Sequence, residues 1–209
     1  MEVPSVSDKY RIKPVPTRYK GILFDTRTEA RWAAFLDRFG VVWSYHPFDL
    51  DGWFPDFLLT FPAVRYSNGG GETAVTTKRE FLAEVKPITE FDWTTAEKMS
   101  AAHQGAMILL GRKPAAGEDG DNLRIGWWVD DRADEEDIED WWHDATEVPG
   151  DEVILGMCSI CDQVSPCSAV HLFHCRRCGS NPGHPVEEPG GWSALWAEAV
   201  NVTKYRPRS

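Results

Sequence analysis

The sequence has no apolar run that approaches the roughly 20 residues needed to span a bilayer, which predicts a chain without a membrane segment. It has only five cysteines in 209 residues, and its first residues do not resemble a secretory signal. We therefore expect reduced thiols and a cytoplasmic location instead of a disulfide framework. Positive charge is also scarce: 22 Lys and Arg stand against 33 Asp and Glu, a formal net charge of −11.

The acidic residues are concentrated in one segment. Residues 118–152 hold fifteen acidic and two basic residues, a balance of −13, which leaves +2 for the rest of the chain. Within residues 130–147, Ile138, Trp141 and Ala145 recur every three to four positions, which predicts a short amphipathic helix with an acidic outer face. That face is either a solvated surface, or it imitates the charge of DNA or contacts a basic partner protein.

Two apolar segments carry charged side chains at informative positions. In the strand predicted over residues 81–86, the side-chain period of two places Glu84 and Lys86 on the same face. Asp56 begins another apolar run, so a neighbouring strand could bring its carboxylate close to Glu84. Two carboxylates and a main-chain carbonyl suit a hard, octahedral Mg²⁺. Such an ion, with Lys86 beside it, could stabilise charge on a phosphate and activate a water.

A third acidic residue, Glu29, lies in a helix predicted over residues 27–39. Thr26 stands three residues before it, which is the spacing of a capping box. Glu29 also shares a helical stripe with Trp32 and Leu36, so it points toward the buried side of the helix. Glu29 is therefore either a cap or a member of the acidic site.

The strand residues have ordinary interpretations as well. Pro55-Asp56 is a common turn dipeptide, and Glu84 with Lys86 could be a solvated cross-strand pair. The chain contains one Pro-Asp and one acid-x-Lys, however, and both occur on plausible strands in the order that a shared site requires. This combination favours the site.

Glu29, Pro55-Asp56 and Glu84-Val85-Lys86 together resemble the motif of the PD-(D/E)XK nuclease superfamily, in the order helix, strand, strand. The similarity covers roughly residues 20–112, and this stretch is similar to small phage-type and transposon-end members. In many phage-type sequences a glutamate stands where this chain has His46. The resemblance implies an α/β protein with a restriction-endonuclease-like αβββαβ core and a mixed central sheet.

The resemblance also implies a role for each motif residue. Asp56, Glu84 and the Val85 carbonyl would hold Mg²⁺ or Mn²⁺, and Lys86 would be the catalytic lysine. Glu29 would complete the site or form a second metal position.

Four further residues are candidates for DNA contacts. Related nucleases often place phosphate-contacting or water-orienting residues on the second helix, where we expect Lys98 and Gln104, although surface solvation would also explain both. Arg11 and Lys13 belong to a basic arm that contains several prolines and could contact phosphates.

The cysteines form a second motif. Cys158 and Cys161 make one CxxC pair, and Cys175 and Cys178 make another after thirteen intervening residues. This spacing presents four thiolates to one tetrahedral, structural Zn²⁺. A variant site that uses His174 as one ligand stays open.

The composition, 42% hydrophobic with ten tryptophans, suffices for one substantial core and a small metal-bound appendage. Four parts are expected: a basic extended arm at 1–18, the nuclease core with its acidic helix at 19–147, a zinc ribbon at 148–186, and a helix with a basic tail at 187–209. Within them the sequence predicts a hairpin at 64–76, a second helix from a Thr94 cap to Gly105, a strand at 106–110, a loop at 111–122, a strand at 123–129 and a packed helix at 192–200.

These patterns predict a metal-dependent deoxyribonuclease, preferably an endonuclease of phage or mobile-element DNA metabolism, which leaves a 5′-phosphate and a 3′-hydroxyl. The zinc ribbon would recognise DNA or a partner protein, a homodimer is an option, and the location would be the host cytoplasm if a phage encodes the chain. The alternative is a non-catalytic binding or inhibitor protein that uses the nuclease fold as a scaffold and the acidic strip as a DNA mimic.

Overall fold

A computed structural model describes residues 14–61, 65–67, 73–75, 79–117, 123–130, 149–158, 160, 164–168, 183–185 and 192–204. In these residues the chain is a mixed α/β protein with three helices and one large mixed sheet, which confirms the predicted α/β class and mixed sheet. No helix in this part of the chain is both long and apolar enough to cross a membrane.

The helices are α1 (Arg27–Arg38), α2 (Trp93–Ala102) and α3 (Trp192–Val202). The strands are β1 (Thr17–Tyr19), β2 (Ile22–Phe24), β3 (Val42–Tyr45), β4 (Phe57–Phe61), β5 (Arg65–Ser67), β6 (Thr73–Val75), β7 (Arg79–Val85), β8 (Met107–Ala116), β9 (Leu123–Asp130), β10 (Glu152–Cys158), β11 (Val164–Ser168) and β12 (Gly183–Pro185). The large sheet has the order β11-β10-β9-β8-β7-β4-β3, and β12 also pairs with β10. Only β7 and β8 pair in parallel among these described strands.

Helix α1 forms where the sequence predicts it. The Thr26 side chain accepts a hydrogen bond from the Glu29 N–H, and the Glu29 carboxylate accepts one from the Thr26 N–H, so the predicted capping box is present. The apolar face of α1, with Trp32 and Leu36, is fully buried against the sheet. Gly40 follows the helix with a φ of +66°, a conformation that costs glycine little.

The two faces of the sheet carry separate cores, and β7 contributes to both. Ala83 and Val85 belong to the larger core under α1 and α3, whereas Leu82 belongs to the smaller core under α2. This alternation is the one predicted for residues 81–86. It leaves Glu84 on the same face as Leu82, at the end of a buried strand.

Helix α2 differs from the prediction at both ends. Its N-cap is Asp92 and not Thr94, and the Asp92 carboxylate accepts a hydrogen bond from the Thr95 hydroxyl at 3.0 Å. The helix ends at Ala102 because His103 has an extended backbone. Gln104 therefore lies beyond the helix, where it is exposed, while Lys98 is exposed on the helix itself.

Strand β8 is longer than predicted, since residues 111–116 continue the strand instead of forming a loop. The register with β9 shifts between Leu110 and Ala115, around Pro114. A proline lacks an N–H for the ladder, and an irregularity in the pairing accommodates that loss. The sequence pattern of Gly, Pro and Ala suggested a loop because it could not reveal the partner strand.

The chain after residue 149 continues the large sheet. Strand β10 pairs antiparallel with β9, so the segment where we placed the start of the zinc ribbon extends the same sheet. Helix α3 packs on α1, with the rings of Trp32 and Trp196 5.3 Å apart, as predicted for the C-terminal helix. The hairpin predicted at 64–76 is present as the pair β5 and β6. The acidic helix predicted at 130–147 lies outside the described residues, except for Asp130.

Candidate active site

Three acidic side chains meet at one end of the sheet. Asp56 directly precedes β4, Glu84 is the penultimate residue of β7, and Glu29 lies in the first turn of α1. Strands β4 and β7 are antiparallel neighbours, and the Val85 N–H donates a hydrogen bond of 2.7 Å to Asp56 Oδ2. The pairing of these strands thus brings Asp56 to Glu84, as the sequence predicted.

Asp56 holds its proton unusually tightly. Burial raises the pKa of its carboxyl to about 8, and the negative charges of Glu84 and Glu29 add to this effect. The Val85 N–H and the Lys86 ammonium oppose the rise but do not cancel it. The three carboxyl groups therefore form one electrostatic unit with more negative charge than the nearby cation balances.

Glu84 is 8% exposed, and both of its carboxylate oxygens have partners. The indole N–H of Trp53 donates a hydrogen bond of 2.8 Å to Oε2, and the Lys86 ammonium lies 2.5 Å from Oε1. Trp53 is itself buried and packs in the smaller core. A rigid donor on one side and a half-buried cation on the other fix the orientation of the Glu84 carboxylate.

Glu29 performs both functions that the sequence left open. It caps α1 through Thr26, as described above, and it is only 5% exposed. Its Oε2 also accepts a hydrogen bond of 2.6 Å from the Tyr45 hydroxyl, which in turn accepts one from the Asp25 N–H. Because its charge contributes to the raised pKa of Asp56, the capping carboxylate also belongs to the acidic unit.

The end of β3 adds His46 to this group. His46 has a φ of +47°, stacks on the Tyr45 ring at 3.9 Å, and donates its backbone N–H to the Asp56 carbonyl at 3.0 Å. Its Nε2 lies 3.9 Å from Asp56 Oδ1 and 4.0 Å from Asp25 Oδ2. His46 thus places an imidazole beside the Asp56 carboxyl group.

The donor set suits a hard divalent cation, because it consists mainly of carboxylate oxygens. A buried acidic unit that retains a proton near neutral pH is also one that a cation would stabilise. In the described part of the chain, no group of three or more His, Cys, Asp or Glu side chains has converged to the geometry of a metal site. The carboxylate oxygens of Glu84 contact Trp53 and Lys86. Val85 contacts Asp56 through its N–H, and a role for the Val85 carbonyl as a metal ligand stays a prediction.

Two residues that contact the acidic unit, Trp53 and Tyr45, were not predicted from the sequence. Trp53 lies three positions before Asp56, but its contact is with Glu84, which is distant in sequence. Tyr45 closes the strand that follows α1, and its contact is with Glu29. No sequence pattern predicts either hydrogen bond, because each depends on how the strands are arranged in space.

Replacement of Trp53 with phenylalanine tests the support of Glu84. Loss of a hydrogen bond to a buried charged group is expected to lower the free energy of unfolding by about 1.5 to 3 kcal/mol. Removal of a residue that orients a metal ligand is expected to weaken Mg²⁺ binding about 10- to 100-fold. Denaturant unfolding and metal titration measure the two effects. Trp93, which is 60% exposed, is the control for the same substitution, and equal behaviour of the two variants would contradict the role of Trp53.

The remaining predicted site residues lie apart from the acidic unit or outside the described residues. Lys98 and Gln104 are exposed, on α2 and just after it. Arg11 and Lys13 lie outside the described residues, as do the predicted zinc ligands Cys161, Cys175 and Cys178.

Cys158, the fourth predicted zinc ligand, ends β10 and is buried. The N–H of Ile160 points to its sulfur at a distance of 3.4 Å.

The acidic unit, its lysine and its supporting aromatic residues define the site by geometry alone. The chain was compared with protein-family models, with curated proteins and with solved structures, and none of the three comparisons finds a match.

Proposed function

We propose that this protein is a metal-dependent nuclease that hydrolyses phosphodiester bonds of DNA, built on a restriction-endonuclease-like core. The observation that carries the proposal is the buried unit of Asp56, Glu84 and Glu29, with Lys86 beside it. Glu29 lies in α1, Asp56 directly precedes β4, and Glu84 lies in β7. Apart from the inserted hairpin β5–β6, the elements from α1 onward occur in the order α1, β3, β4, β7, α2, β8, which agrees with the αβββαβ order that the resemblance implies. The parallel pairing of β7 with β8 also fits such a core.

In this proposal, Asp56 and Glu84 hold the Mg²⁺ or Mn²⁺, and Glu29 adds negative charge behind them. The bound ion would supply Lewis acidity at the phosphate and lower the pKa of a coordinated water. Lys86, which contacts Glu84, would orient the attacking water or neutralise charge on the phosphate. The water loses a proton as its oxygen bonds to phosphorus, and the departing 3′ oxygen gains one, which leaves a 5′-phosphate and a 3′-hydroxyl.

The surrounding residues would keep this arrangement in place. Trp53 orients Glu84 and Tyr45 orients Glu29, each through one short hydrogen bond. His46 is 38% exposed next to Asp56, which places an imidazole at the solvent side of the unit. A site held by buried partners on separate strands is preorganised, and preorganisation is what charge stabilisation in a transition state requires.

Cleavage of supercoiled plasmid tests the nuclease proposal directly. We expect nicked or linear products with Mg²⁺ or Mn²⁺, none with EDTA, and none from Glu84→Gln. Glu97→Gln is the matched control, because Glu97 is an exposed residue of α2 and the charge change is the same. Linear, branched and single-stranded DNA in the same assay would define the substrate class. Absence of cleavage on every substrate would instead favour a binding or inhibitor protein with a DNA-mimicking acidic strip.

The proposal includes a structural Zn²⁺ held by Cys158, Cys161, Cys175 and Cys178. It rests on the spacing of the four cysteines and on the N–H that points to the Cys158 sulfur. We expect one zinc per chain in elemental analysis of the purified protein and its loss, with a lower melting temperature, in Cys158→Ser. Cys167→Ser is the control and should retain the metal. If the wild-type protein unfolds as cooperatively without zinc as it does with zinc, the zinc site is contradicted.

A further inference from the structure

Three arginines from distant parts of the sequence form a second charged group, the arginine cluster Arg27, Arg31 and Arg112. Arg27 and Arg31 are four residues apart and therefore lie on the same face of α1. The indole N–H of Trp32 donates a hydrogen bond of 2.8 Å to the carbonyl of Gly111, which fixes this part of α1 against β8. Arg31 and Arg112 are the sequence neighbours of the two bonded residues, so their guanidinium groups are brought together.

No carboxylate among the described residues balances the positive charge of this cluster. Among the described residues, no carboxylate forms an ion pair with Arg27, Arg31 or Arg112, and the Nε atoms of Arg27 and Arg31 are buried without an acceptor. Burial lowers the pKa of Arg31, and repulsion from Arg27 and Arg112 lowers it further. Buried donors without acceptors are costly, and an anion bound at the cluster would supply the missing acceptors.

The arginine cluster stands at the same end of the sheet as the acidic unit. Strands β7 and β8 run parallel, and the Lys86 N–H donates to the Leu110 carbonyl at 3.0 Å. Arg112 follows Leu110 by two residues within β8 and donates its N–H to the Ile88 carbonyl at 2.9 Å, so it lies just past the end of β7. On α1, Glu29 lies between Arg27 and Arg31 in sequence but points to Tyr45 on β3, on the other side of the helix. The arginine cluster and the carboxylates therefore share one end of the sheet, where α1 covers one face and Glu84 lies on the other.

We infer that the arginine cluster binds a phosphate of the DNA backbone adjacent to the phosphate that is hydrolysed. The inference rests on the proposed nuclease function. Guanidinium groups match phosphate oxygens with paired hydrogen bonds, and three of them on two elements define a direction for the bound strand. The acidic unit repels a polyanion, so a cationic group beside it supplies the attraction that the acidic unit lacks.

Binding of a short labelled DNA duplex, with Ca²⁺ in place of Mg²⁺, tests the phosphate site. Arg31→Gln and Arg112→Gln are each expected to raise Kd about tenfold, since each removes a charge-assisted hydrogen bond. Each should also reduce the slope of log K against log salt concentration by about 0.9, the value for one phosphate contact. Arg38→Gln is the matched control on the last turn of α1, where Arg38 pairs with Glu198 at the surface, and it should bind like the wild type.

Thermal melting separates a binding role from a structural one. Because the three cations repel one another, Arg112→Gln should melt at the same temperature as the wild type or higher; a lower melting temperature would indicate a structural role and overturn the inference. The inference would also be overturned if both arginine variants bound DNA with the Kd and the salt slope of the wild type. Absence of DNA binding by the wild type would overturn it as well. If Glu84→Gln abolishes cleavage but the arginine variants bind DNA like the wild type, the proposed nuclease function is supported and this phosphate site is not.

Discussion

Replacement of Asp56 with asparagine is expected to abolish DNA cleavage and to make the metal-free protein more stable at pH 8. The loss of activity should be at least about a thousandfold, because a metal ligand contributes several kcal/mol of transition-state stabilisation. The gain in stability follows from the removal of one charge from a buried unit of three carboxyl groups. Asparagine retains an oxygen that can accept the hydrogen bond from the Val85 N–H, so the local fold should persist.

The same substitution gives a characteristic dependence on pH. The pKa of Asp56 is about 8 in the folded protein and near 4 in an unfolded chain. Between these values the folded state binds the additional proton, so the free energy of unfolding falls as pH rises, by about 1.4 kcal/mol per pH unit. Asp56→Asn lacks this proton. The difference in unfolding free energy between wild type and variant should therefore change steadily from pH 4 to pH 8.

Denaturant titrations of both proteins across that range, without divalent metal, provide the measurement. Mg²⁺ should then restore stability to the wild type at pH 8 and have little effect on the variant, because the ion replaces the proton on Asp56. The control is Asp49→Asn, a change of the same kind at an exposed position. A constant stability difference at all pH values would show that Asp56 is an ordinary ionised carboxylate.

Replacement of Lys86 with methionine is expected to lower the cleavage rate about 10² to 10³-fold while it leaves metal binding intact. Methionine retains much of the length of the side chain but removes the ammonium that lies 2.5 Å from Glu84. If Lys86 acts on the water or on the phosphate, kcat falls and the stabilisation by Mg²⁺ remains. Glu84→Gln should lose both, which distinguishes a metal ligand from a residue that acts on the substrate.

Lys86→Arg sharpens this prediction, because it retains the charge. A guanidinium is planar and effectively always protonated, so it cannot replace an ammonium that must approach one water closely. We expect it to recover only a small part of the rate. Full activity in Lys86→Arg would indicate that a positive charge suffices, and full activity in Lys86→Met would remove Lys86 from the mechanism. Lys98→Met, at an exposed position of α2, is the control for the loss of a lysine.

The sequence predicted those parts of the site that depend on local periodicity. The side-chain period of β7 placed Glu84 on its face, and the helical stripe of α1 turned Glu29 inward, where it is indeed buried. The cap of α2 was misjudged because Asp92 and Thr94 both suit that position and only the final backbone decides. The strand through Pro114 was missed because a bulge, which depends on the partner strand, accommodates the proline.

The contacts that support the site were beyond local periodicity. The hydrogen bond from Trp53 to Glu84 joins residues that are distant in sequence. In the sequence alone, burial in the apolar core accounts for a tryptophan at position 53 equally well. The arginine cluster depends on the packing of α1 against β8, which the hydrogen bond from the Trp32 indole to the Gly111 carbonyl fixes. Neither the composition nor a sequence motif indicates this bond. Such contacts follow from the order of strands in the sheet, and that order is a property of the whole chain.

The strands that carry Glu84 and Cys158 run in the same direction, so both residues lie toward the same end of the sheet. Strand β10 is antiparallel to β9, which is antiparallel to β8, so β10 runs the same way as β7 and β8. Glu84, Leu109, Trp127 and Glu152 form one row across the sheet, so Cys158 lies about 15 Å from Glu84 across the strands and about 20 Å farther along them. A small molecule would reach only one of these two positions, whereas a linear polymer that crosses this end of the sheet obliquely would meet both.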